Sequence, residues 1–266
     1  MENFFIRIKA PFAGYRYFQA GNYRVTMPTM PHSAAYGLIL NLAGVEMRTG
    51  KNEPTTLIKK TSSDFNFDSE ELIPAFEIAI GEFKVPEKNS VYQQLHSYPV
   101  GTSGTENERQ AKIKKGGKPG PSLESLSKGA KFWIAPTRRE FLTNLDVIIG
   151  LRTQNSGFKE KILDGLNGRL AGRYGLPFAG DNNYLIDSIE MFNDSAEKAT
   201  WYYPVAPDEI PKSETCRLTV GIDRASNHLT KMPVFAKTDE KSLLPPESAW
   251  IWTPGNLNSK FEKEIV

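Results

Sequence analysis

Apolar and polar residues alternate along several short segments of this chain, which is the pattern of half-buried β-strands. Near the N-terminus, Phe4, Ile6 and Ile8 fall on one face, while Arg7 and Lys9 fall on the other. Because side chains in a strand point alternately to opposite faces, this segment predicts a strand with a basic open face. The same reasoning predicts strands over residues 4–10, 55–60, 75–83, 139–149 and 184–192.

Helical spacing of apolar residues predicts two helices. One covers residues 33–47, with Ser33 as its N-cap, and the other covers residues 157–171. With the insertion described next left out, these elements match the order β-α-β-β-α-β apart from one additional strand before the second helix. This order predicts an α+β domain of the ferredoxin-like or RRM type, whose sheet is a common RNA platform. The pattern over residues 200–266 predicts short strands that add to the ferredoxin-like domain. We therefore expect a single domain over residues 1–266.

An insertion interrupts the regular pattern over residues 96–131, which are rich in Gly, Ser, Pro and Lys. The overlapping residues 109–139 hold nine basic residues and a single acid, Glu124, on a chain whose net charge is only +2. The basic residues are Arg109, Lys112, Lys114, Lys115, Lys118, Lys128, Lys131, Arg138 and Arg139. A local basic block on a near-neutral body predicts a specific polyanion site, and the alternative is a solvated loop.

Composition narrows the class of protein. The chain has 266 residues with 39% hydrophobic content, which favours a folded core. It contains no apolar run near the roughly 20 residues of a membrane span, and its start lacks the features of a signal peptide. We therefore expect a cytoplasmic protein without a membrane partner. Cys216 is the only cysteine, which excludes an internal disulfide and a cysteine-based zinc site.

Catalytic signatures of the common nucleotide-binding, serine-hydrolase and zinc-protease families are absent from the sequence. Three scattered histidines are too few for a metal set, so we expect no metal and no cofactor. A metal-free ribonuclease needs only a general base, an acid and a cation. Side chains of these types are His32, Tyr17, Tyr92, His96 and Lys112. Enzymatic activity stays open as an alternative.

Glycines and arginines are concentrated in residues 165–183, where five glycines surround Arg169 and Arg173. Glycine lets a backbone approach a ligand closely, and the planar guanidinium of arginine suits phosphate. This Gly-Arg loop therefore predicts contact with a phosphodiester backbone. Arg16 and Tyr17 follow the first strand and suit phosphate pairing and base stacking. The start of the helix over 33–47 offers N–H groups for an anion.

Several of these segments, in the same order, resemble the CRISPR-associated Cas-five family of the RAMP superfamily. The resemblance covers roughly residues 1–195 and is strongest to the branch found in myxobacterial and some cyanobacterial type I systems. The matching segments are Pro11-Phe12-Ala13-Gly14-Tyr15-Arg16, Met30-Pro31-His32-Ser33 leading into an apolar helix that ends at Ala43-Gly44, Arg138-Arg139-Glu140-Phe141-Leu142, Arg173-Tyr174-Gly175-Leu176-Pro177-Phe178 and Gly180-Asp181-Asn182.

The resemblance implies a non-catalytic subunit of a type I CRISPR Cascade surveillance complex. Such a subunit binds the 5′ handle of crRNA and caps the backbone filament, with no cofactor. Its implied partners are a Cas-seven-type backbone subunit, a Cas-eight-type large subunit and target DNA through guide pairing. The insertion then corresponds to a basic thumb that leans over the guide RNA. The alternatives are a metal-independent endoribonuclease that processes pre-crRNA and a general single-stranded RNA-binding protein.

Thirteen residues are predicted to contact RNA on the combined grounds of charge, position and resemblance. They are Arg16, Tyr17, Arg24, His32, Ser33, Lys112, Lys114, Lys115, Lys118, Arg138, Arg139, Arg169 and Arg173.

Overall fold

The structure is a computed structural model of the chain. It describes residues 2–17, 23–49, 60–61, 72–74, 76–97, 111–118, 133–153, 155–170, 175–193, 196–206, 208–211, 213–222 and 229–253. The chain forms two compact units. Unit 1 contains Met1–Phe18, Thr26–Asn89 and Phe141–Val266, and unit 2 contains Gln19–Val25 and Ser90–Glu140.

Most of the described elements are strands. In chain order they are β1 (Glu2–Ala13), β2 (Tyr23–Arg24), α1 (His32–Leu42), β3 (Lys60–Thr61), β4 (Leu72–Ile73), β5 (Phe76–Lys84), β6 (Glu87–Ser97), β7 (Trp133–Thr153), α2 (Ser156–Leu166), β8 (Ser188–Met191), β9 (Thr200–Pro204), β10 (Thr215–Arg217), β11 (Val234–Lys237), a 3-10 helix (Glu247–Ala249) and β12 (Ile251–Thr253). Strands β6 and β7 contribute residues to both units.

The main sheet has the strand order β10-β11-β9-β5-β7-β1-β8, and β12 pairs with β5. Strand β1 pairs antiparallel with β7 on one side and with β8 on the other, and β5 pairs antiparallel with β7. The described part of the chain is therefore α+β, with a mostly antiparallel sheet. The elements β1, α1, β5, β7, α2 and β8 follow a β-α-β-β-α-β order, with β2 added before α1, β3 and β4 before β5, and β6 before β7.

One face of this sheet carries the main core of unit 1. Ile6 and Ile8 of β1 are fully buried, and they belong to one apolar cluster with Ile39 of α1 and Ile162 of α2. The two helices approach closely because Gly165 has no side chain: a Cβ there would lie 1.8 Å from the carbonyl oxygen of Leu42. The apolar positions whose alternation predicted β1 are therefore buried on this face.

The opposite face of the sheet is covered, which corrects the expectation of an open RNA platform. The Phe5 ring lies 6.1 Å from the Trp201 ring and 6.5 Å from the Trp250 ring. Glycines make room for these indoles, since a Cβ at Gly81 would meet the Trp201 ring at 2.8 Å and one at Gly150 would meet Trp250 at 3.0 Å. Segments that follow β8 in sequence therefore bury this face.

The basic residue that the sequence placed on an open face is held in ion pairs. Arg7 donates to both oxygens of Asp146 at 2.7 Å and to Glu197 at 2.6 Å. Its guanidinium also lies 4.2 Å from the centre of the Phe83 ring. The hydrogen bond to Asp146, with help from Glu197, raises the pKa of Arg7 above its ordinary value against the opposing effect of burial. Arg7 therefore stabilises the cover of the sheet.

Arg152 repeats this arrangement on the same face. It donates to Glu247 at 2.7 Å and to Glu77 at 3.2 Å, and its guanidinium lies 4.2 Å from the centre of the Trp250 ring. Glu247 belongs to the 3-10 helix, so this arginine ties the segment before β12 to the sheet.

Both helices end earlier than the sequence predicts, because glycines adopt left-handed conformations after them. Helix α1 ends at Leu42, where Gly44 has φ +67° and the Val45 N–H donates to the Leu40 carbonyl at 2.9 Å. Helix α2 ends at Leu166, where Gly168 has φ +69°. Such glycines terminate helices by satisfying their last carbonyls.

The remaining elements match the sequence unevenly. Strands β6 and β9 were not predicted, and the predicted strand over 55–60 lies outside the described residues apart from its last position. Of the predicted thumb over 96–131, the structure describes residues 96–97 and 111–118. Residues 111–114 form one helical turn, in which the Lys115 N–H donates to the Ala111 carbonyl at 3.2 Å.

Candidate nucleic-acid interface

The end of β1 and the Gly-Arg loop meet in unit 1, although they are far apart in sequence. The Gly14 N–H donates to the Ala179 carbonyl at 3.0 Å. Gly180 has φ +83°, and a Cβ there would lie 2.4 Å from the Gly14 carbonyl oxygen. Only glycine fits this approach. Two segments that carry the family resemblance are therefore in direct contact.

Arg16 and Asp181 form an ion pair at this junction. The Arg16 side chain is 45% exposed, whereas that of Asp181 is only 7% exposed. Asp181 also accepts hydrogen bonds from the backbone N–H of Asn183 at 3.1 Å and from its side-chain amide at 2.9 Å. Asp181 thus holds the Arg16 guanidinium in place, while nearly half of the Arg16 side chain stays exposed to solvent.

Residues around Arg16 fix its backbone. The Tyr15 N–H donates to the Thr26 hydroxyl at 2.9 Å, and the Met27 N–H donates to the Tyr15 carbonyl at 2.7 Å. Tyr15 is buried, and this burial raises the pKa of its phenol. Tyr17 is half-buried and packs against the core. Arg16 is therefore the solvent-facing cation of this segment.

The start of α1 differs from the prediction of an anion site. The Ser33 N–H donates to the Thr219 carbonyl at 3.0 Å, and the N–H groups of Ala34 and Ala35 donate to the Pro31 carbonyl at 3.0 and 3.1 Å. These N–H groups point at backbone carbonyls rather than at solvent. An anion at this helix start lacks the donors that the sequence suggested.

His32 lies in the core, which corrects its predicted role as an RNA contact. It is 0% exposed, and its ring stacks on Phe235 with the ring centres 4.9 Å apart. Burial lowers the pKa of the imidazole to about 3, so the ring is neutral at physiological pH. A buried neutral ring contacts neither a phosphate nor a reacting hydroxyl. Thr219, whose carbonyl accepts from the start of α1, and Phe235, whose ring stacks on His32, both lie after residue 200.

A cavity of about 460 Å³ lies beside this junction in unit 1. Helix α1 and the segment that follows it form one wall, and the Gly-Arg loop forms the other. Its lining residues are Ser33, Ala34, Gly37, Leu38, Leu40, Asn41, Gly44, Val45, Glu46, Met47, Arg48, Gly175, Leu176, Pro177, Phe178 and Gly180. Arg48 pairs with Glu46 at 2.7 Å. Three of the segments that resemble the family thus border one region.

Arg169 is the arginine of the Gly-Arg loop that the structure describes. Arg169 follows the end of α2, is 64% exposed and pairs with Asp164 at 2.9 Å. Its backbone N–H donates to the Asp164 carbonyl at 2.8 Å, so part of its role is to close the helix. Arg173 lies outside the described residues.

Unit 2 holds the other predicted contacts. Arg138 is exposed, donates to the Ser90 hydroxyl at 3.2 Å and lies 5.0 Å from the centre of the Tyr23 ring. The Tyr23 hydroxyl donates to Glu140, and this bond raises the pKa of the phenol. Arg139 is nearly buried and donates to Gln93 at 3.4 Å.

Arg24 and four lysines complete the predicted contacts of unit 2. Arg24 lies opposite Arg139, where β2 pairs with β7. The lysines Lys112, Lys114, Lys115 and Lys118 are all exposed on residues 111–118. This segment therefore presents a compact group of solvated cations.

The sequence missed some residues of these sites. Asp181 accepts hydrogen bonds from Asn183 two residues away, but its ion pair with Arg16 joins residues 165 positions apart. Tyr23 and Glu140 are 117 positions apart. Periodicity and local motifs carry no signal for contacts of this length.

Among the residues that the structure describes, no three His, Cys, Asp or Glu side chains come together as a metal site. Within the same ranges, no helix has the length and apolar character needed to cross a membrane.

The chain is similar to solved structures, whereas no protein-family model and no curated protein matches it. Among solved structures, the chain is similar to one named "CRISPR RNA-guided surveillance complex", with 10% identity, a TM-score of 0.49, and coverage of 93% of this chain and 96% of that chain. A second, named "Crystal structure of Cas protein", has 10% identity, a TM-score of 0.43, and coverage of 90% and 94%.

Proposed function

We propose that this protein is a Cas-five-like, non-catalytic subunit of a type I CRISPR surveillance complex that binds the 5′ handle of crRNA. One observation carries the proposal: three segments that resemble the family in sequence border the same region of unit 1. They are residues 11–16 at the end of β1, residues 33–44 in and after α1, and residues 175–182 of the Gly-Arg loop. Convergence of separate motifs is what a shared binding site requires.

Arg16 supplies the chemistry for phosphate in this region. Its guanidinium is oriented by Asp181 while its side chain stays 45% exposed. Arginine presents a planar fork of donors, so one edge can pair with a carboxylate while another meets phosphate. We assign Arg16 the leading RNA contact of unit 1.

The exposed lysines of residues 111–118 supply a second cationic surface, in unit 2. In the proposed complex these lysines belong to the thumb, which lies along the guide RNA. Capping of the backbone filament, with Cas-seven-type and Cas-eight-type subunits as neighbours, belongs to the same proposal. Target DNA then reaches the complex through pairing with the guide.

The non-catalytic role is favoured over the nuclease alternative by the position of His32. A general base must reach the hydroxyl that it deprotonates. His32 is 0% exposed, and the pKa of its imidazole is lowered to about 3. Among the histidines proposed for cleavage, this one is therefore unsuited to act on an RNA that stays outside the core.

The experiment is a gel-shift titration of the full chain with end-labelled CRISPR repeat RNA in EDTA, run also on a denaturing gel. An unrelated RNA of equal length serves as competitor. The proposal expects a retarded band, intact RNA and preference for the repeat. A discrete cleavage product contradicts the non-catalytic role, and equal competition by unrelated RNA favours the general RNA binder.

A pair of variants tests the role of Arg16. Arg16→Ala is expected to weaken repeat binding about 10-fold, the effect of losing one charge-assisted contact. Arg217→Ala removes the same charge from exposed β10 and is the matched control, with affinity unchanged. Equal losses in both variants would show that only general charge matters and would contradict a specific site.

The salt dependence of binding tests the lysine surface. Replacement of Lys112, Lys114, Lys115 and Lys118 by Ala is expected to lower the slope of log K against log salt by up to about 3, because each phosphate contact to a single strand releases about 0.7 counterion. A slope equal to that of the unaltered protein would exclude these lysines from the interface.

A further inference from the structure

Phe12 is turned out of the core at a point where the alternation of β1 would place it inside. The even-numbered residues from Phe4 to Ala10 are buried, so a regular strand would bury residue 12 as well. Phe12 is instead 46% exposed, and Ala13 is buried. The strand therefore changes face between Ala10 and Ala13.

Strand β7 changes face at the same level. Leu145 and Leu142 are both buried, and they lie opposite Ala10 and Ala13. Between them, Asn144 has φ 57°, the only positive φ of a non-glycine residue in the described ranges. Asparagine tolerates this left-handed conformation better than most residues do. The register between β1 and β7 stays continuous here, so both strands change face together and the Phe12 side chain lies on the outside of unit 1.

Three rings gather at this point into an aromatic cluster of Phe12, Phe141 and Tyr184. The Phe12 ring lies 5.9 Å from Phe141 in an edge-on arrangement and 6.4 Å from Tyr184. The Phe141 and Tyr184 rings are 6.3 Å apart. Tyr184 packs on Gly14, where a Cβ would approach its ring to 2.8 Å. The cluster is thus held in place by backbone contacts rather than by burial alone.

Tyr184 of the aromatic cluster lies in the same loop as Asp181, the ion-pair partner of Arg16. The Tyr184 N–H donates to the Asp181 carbonyl at 2.9 Å, and the Asp181 carboxylate pairs with Arg16. An exposed ring next to a half-exposed guanidinium matches the two parts of a nucleotide, since bases stack on rings and phosphates pair with arginine.

We infer that the aromatic cluster is a stacking surface for one unpaired base of RNA, with Arg16 placed at the adjoining phosphate. This inference rests on the proposed function and adds Phe12, Phe141 and Tyr184 to its site. Stacking tolerates any base, so the surface fixes the position of a nucleotide rather than its identity.

The test replaces single bases of the repeat RNA with 2-aminopurine, whose fluorescence is quenched by stacking. Full-length protein is compared with Phe12→Leu, which keeps an apolar side chain without a ring, and with Phe12→Trp, which restores a ring. Leu244→Ala removes a side chain that is 62% exposed elsewhere on unit 1 and is the control for general loss of apolar surface.

The inference expects a position whose quenching is lost in Phe12→Leu and kept in Phe12→Trp and Leu244→Ala. Affinity in a gel shift on the same samples should fall at least about 5-fold in Phe12→Leu alone, the low end for loss of one stacked base. Unchanged quenching and affinity in Phe12→Leu would overturn the inference while RNA binding stands. Absence of binding by the unaltered protein would overturn the proposed function together with it.

Discussion

Asp181 is the residue on which the loop at the junction with β1 depends. Its nearly buried carboxylate accepts from Arg16 and from two N–H groups of Asn183. Removal of an acceptor leaves these donors without their partner, which costs more than the bonds contribute. The carboxylate therefore orients the candidate site without meeting RNA itself.

We expect Asp181→Ala to lower the free energy of unfolding by about 1 to 3 kcal/mol. Asp187→Ala, in the same loop but exposed, is the matched control and should change stability by less than about 0.5 kcal/mol. Urea denaturation followed by tryptophan fluorescence measures both. Equal stability of the two variants would remove Asp181 from this structural role.

The burial of His32 predicts that the free energy of unfolding depends on pH. Its pKa is about 3 in the folded protein because of burial, against an ordinary value of 6.5. Below about pH 6.5 the unfolded chain takes up a proton that the folded chain does not, so stability falls as pH decreases from there toward 3. By pH 5 the loss is about 2 kcal/mol.

The measurement compares unfolding free energies at pH 7.5 and pH 5 for the unaltered protein and His32→Phe. The variant keeps a ring on Phe235 and retains every carboxylate, so the difference between the two pH dependences isolates the imidazole. We expect the variant to lose less stability on acidification, and parallel pH profiles would argue against a buried neutral His32.

Sequence reasoning singled out Arg16, which follows a strand of clear alternation, but it missed the ion pair with Asp181 and misplaced His32. The burial of His32 depends on Phe235 and on residues near Thr219, about 200 positions away. No periodicity in the neighbourhood of a residue reports such a partner.

Helix packing in unit 1 depends on the missing side chain of Gly165. A Cβ there would lie 1.8 Å from the Leu42 carbonyl oxygen, which is a backbone atom that cannot rotate away. Helices α1 and α2 would have to separate, which would open the core beneath them.

We therefore expect Gly165→Ala to lower the free energy of unfolding by about 3 kcal/mol or more. The matched control is Gly157→Ala, in the first turn of the same helix, where the nearest atom to a Cβ is 3.4 Å away. Its stability should stay within about 1 kcal/mol, because alanine favours helices. Thermal unfolding of both variants tests the difference, and a tolerated Gly165→Ala would contradict the close helix packing.

Elements with a strong local pattern were predicted well. The predicted strands at β1 and β5 are confirmed, although β5 is buried on both faces over residues 78–83, and α1 and α2 are present although shorter than predicted. Strand β9 was missed because Trp201 and Tyr202 are both buried, so the segment shows no alternation to detect. Helix ends were misjudged because apolar residues continue past the glycines that terminate each helix.

The largest correction concerns the whole of unit 1, since its sheet is covered on both faces. An RRM-type reading makes Arg7 a nucleic-acid contact on an open face. In the structure Arg7 pairs with Asp146 of β7 and with Glu197, and the second pair ties the segment after β8 to this face of the sheet. Sequence alternation identifies two faces of a strand, but it does not reveal which later segment covers the more polar one.

We expect Arg7→Lys to lower the free energy of unfolding by about 1 to 3 kcal/mol, because lysine does not reproduce the bidentate pairing. RNA affinity, measured by gel shift well below the melting temperature, should stay within about twofold. Arg217→Lys, on exposed β10, is the control for stability. A large loss of RNA affinity at unchanged stability would show that this face binds RNA after all.

The cover of the sheet also sets the order in which the chain can fold while it is being synthesised. Strand β1 leaves the ribosome first, but its neighbours β7 and β8 follow only after residue 133, and Arg7 meets Glu197 across 190 positions. Contacts of such sequence separation form slowly, and an unpaired apolar strand aggregates while it waits. The yield of soluble protein should therefore rise when chaperones that hold nascent chains are supplied.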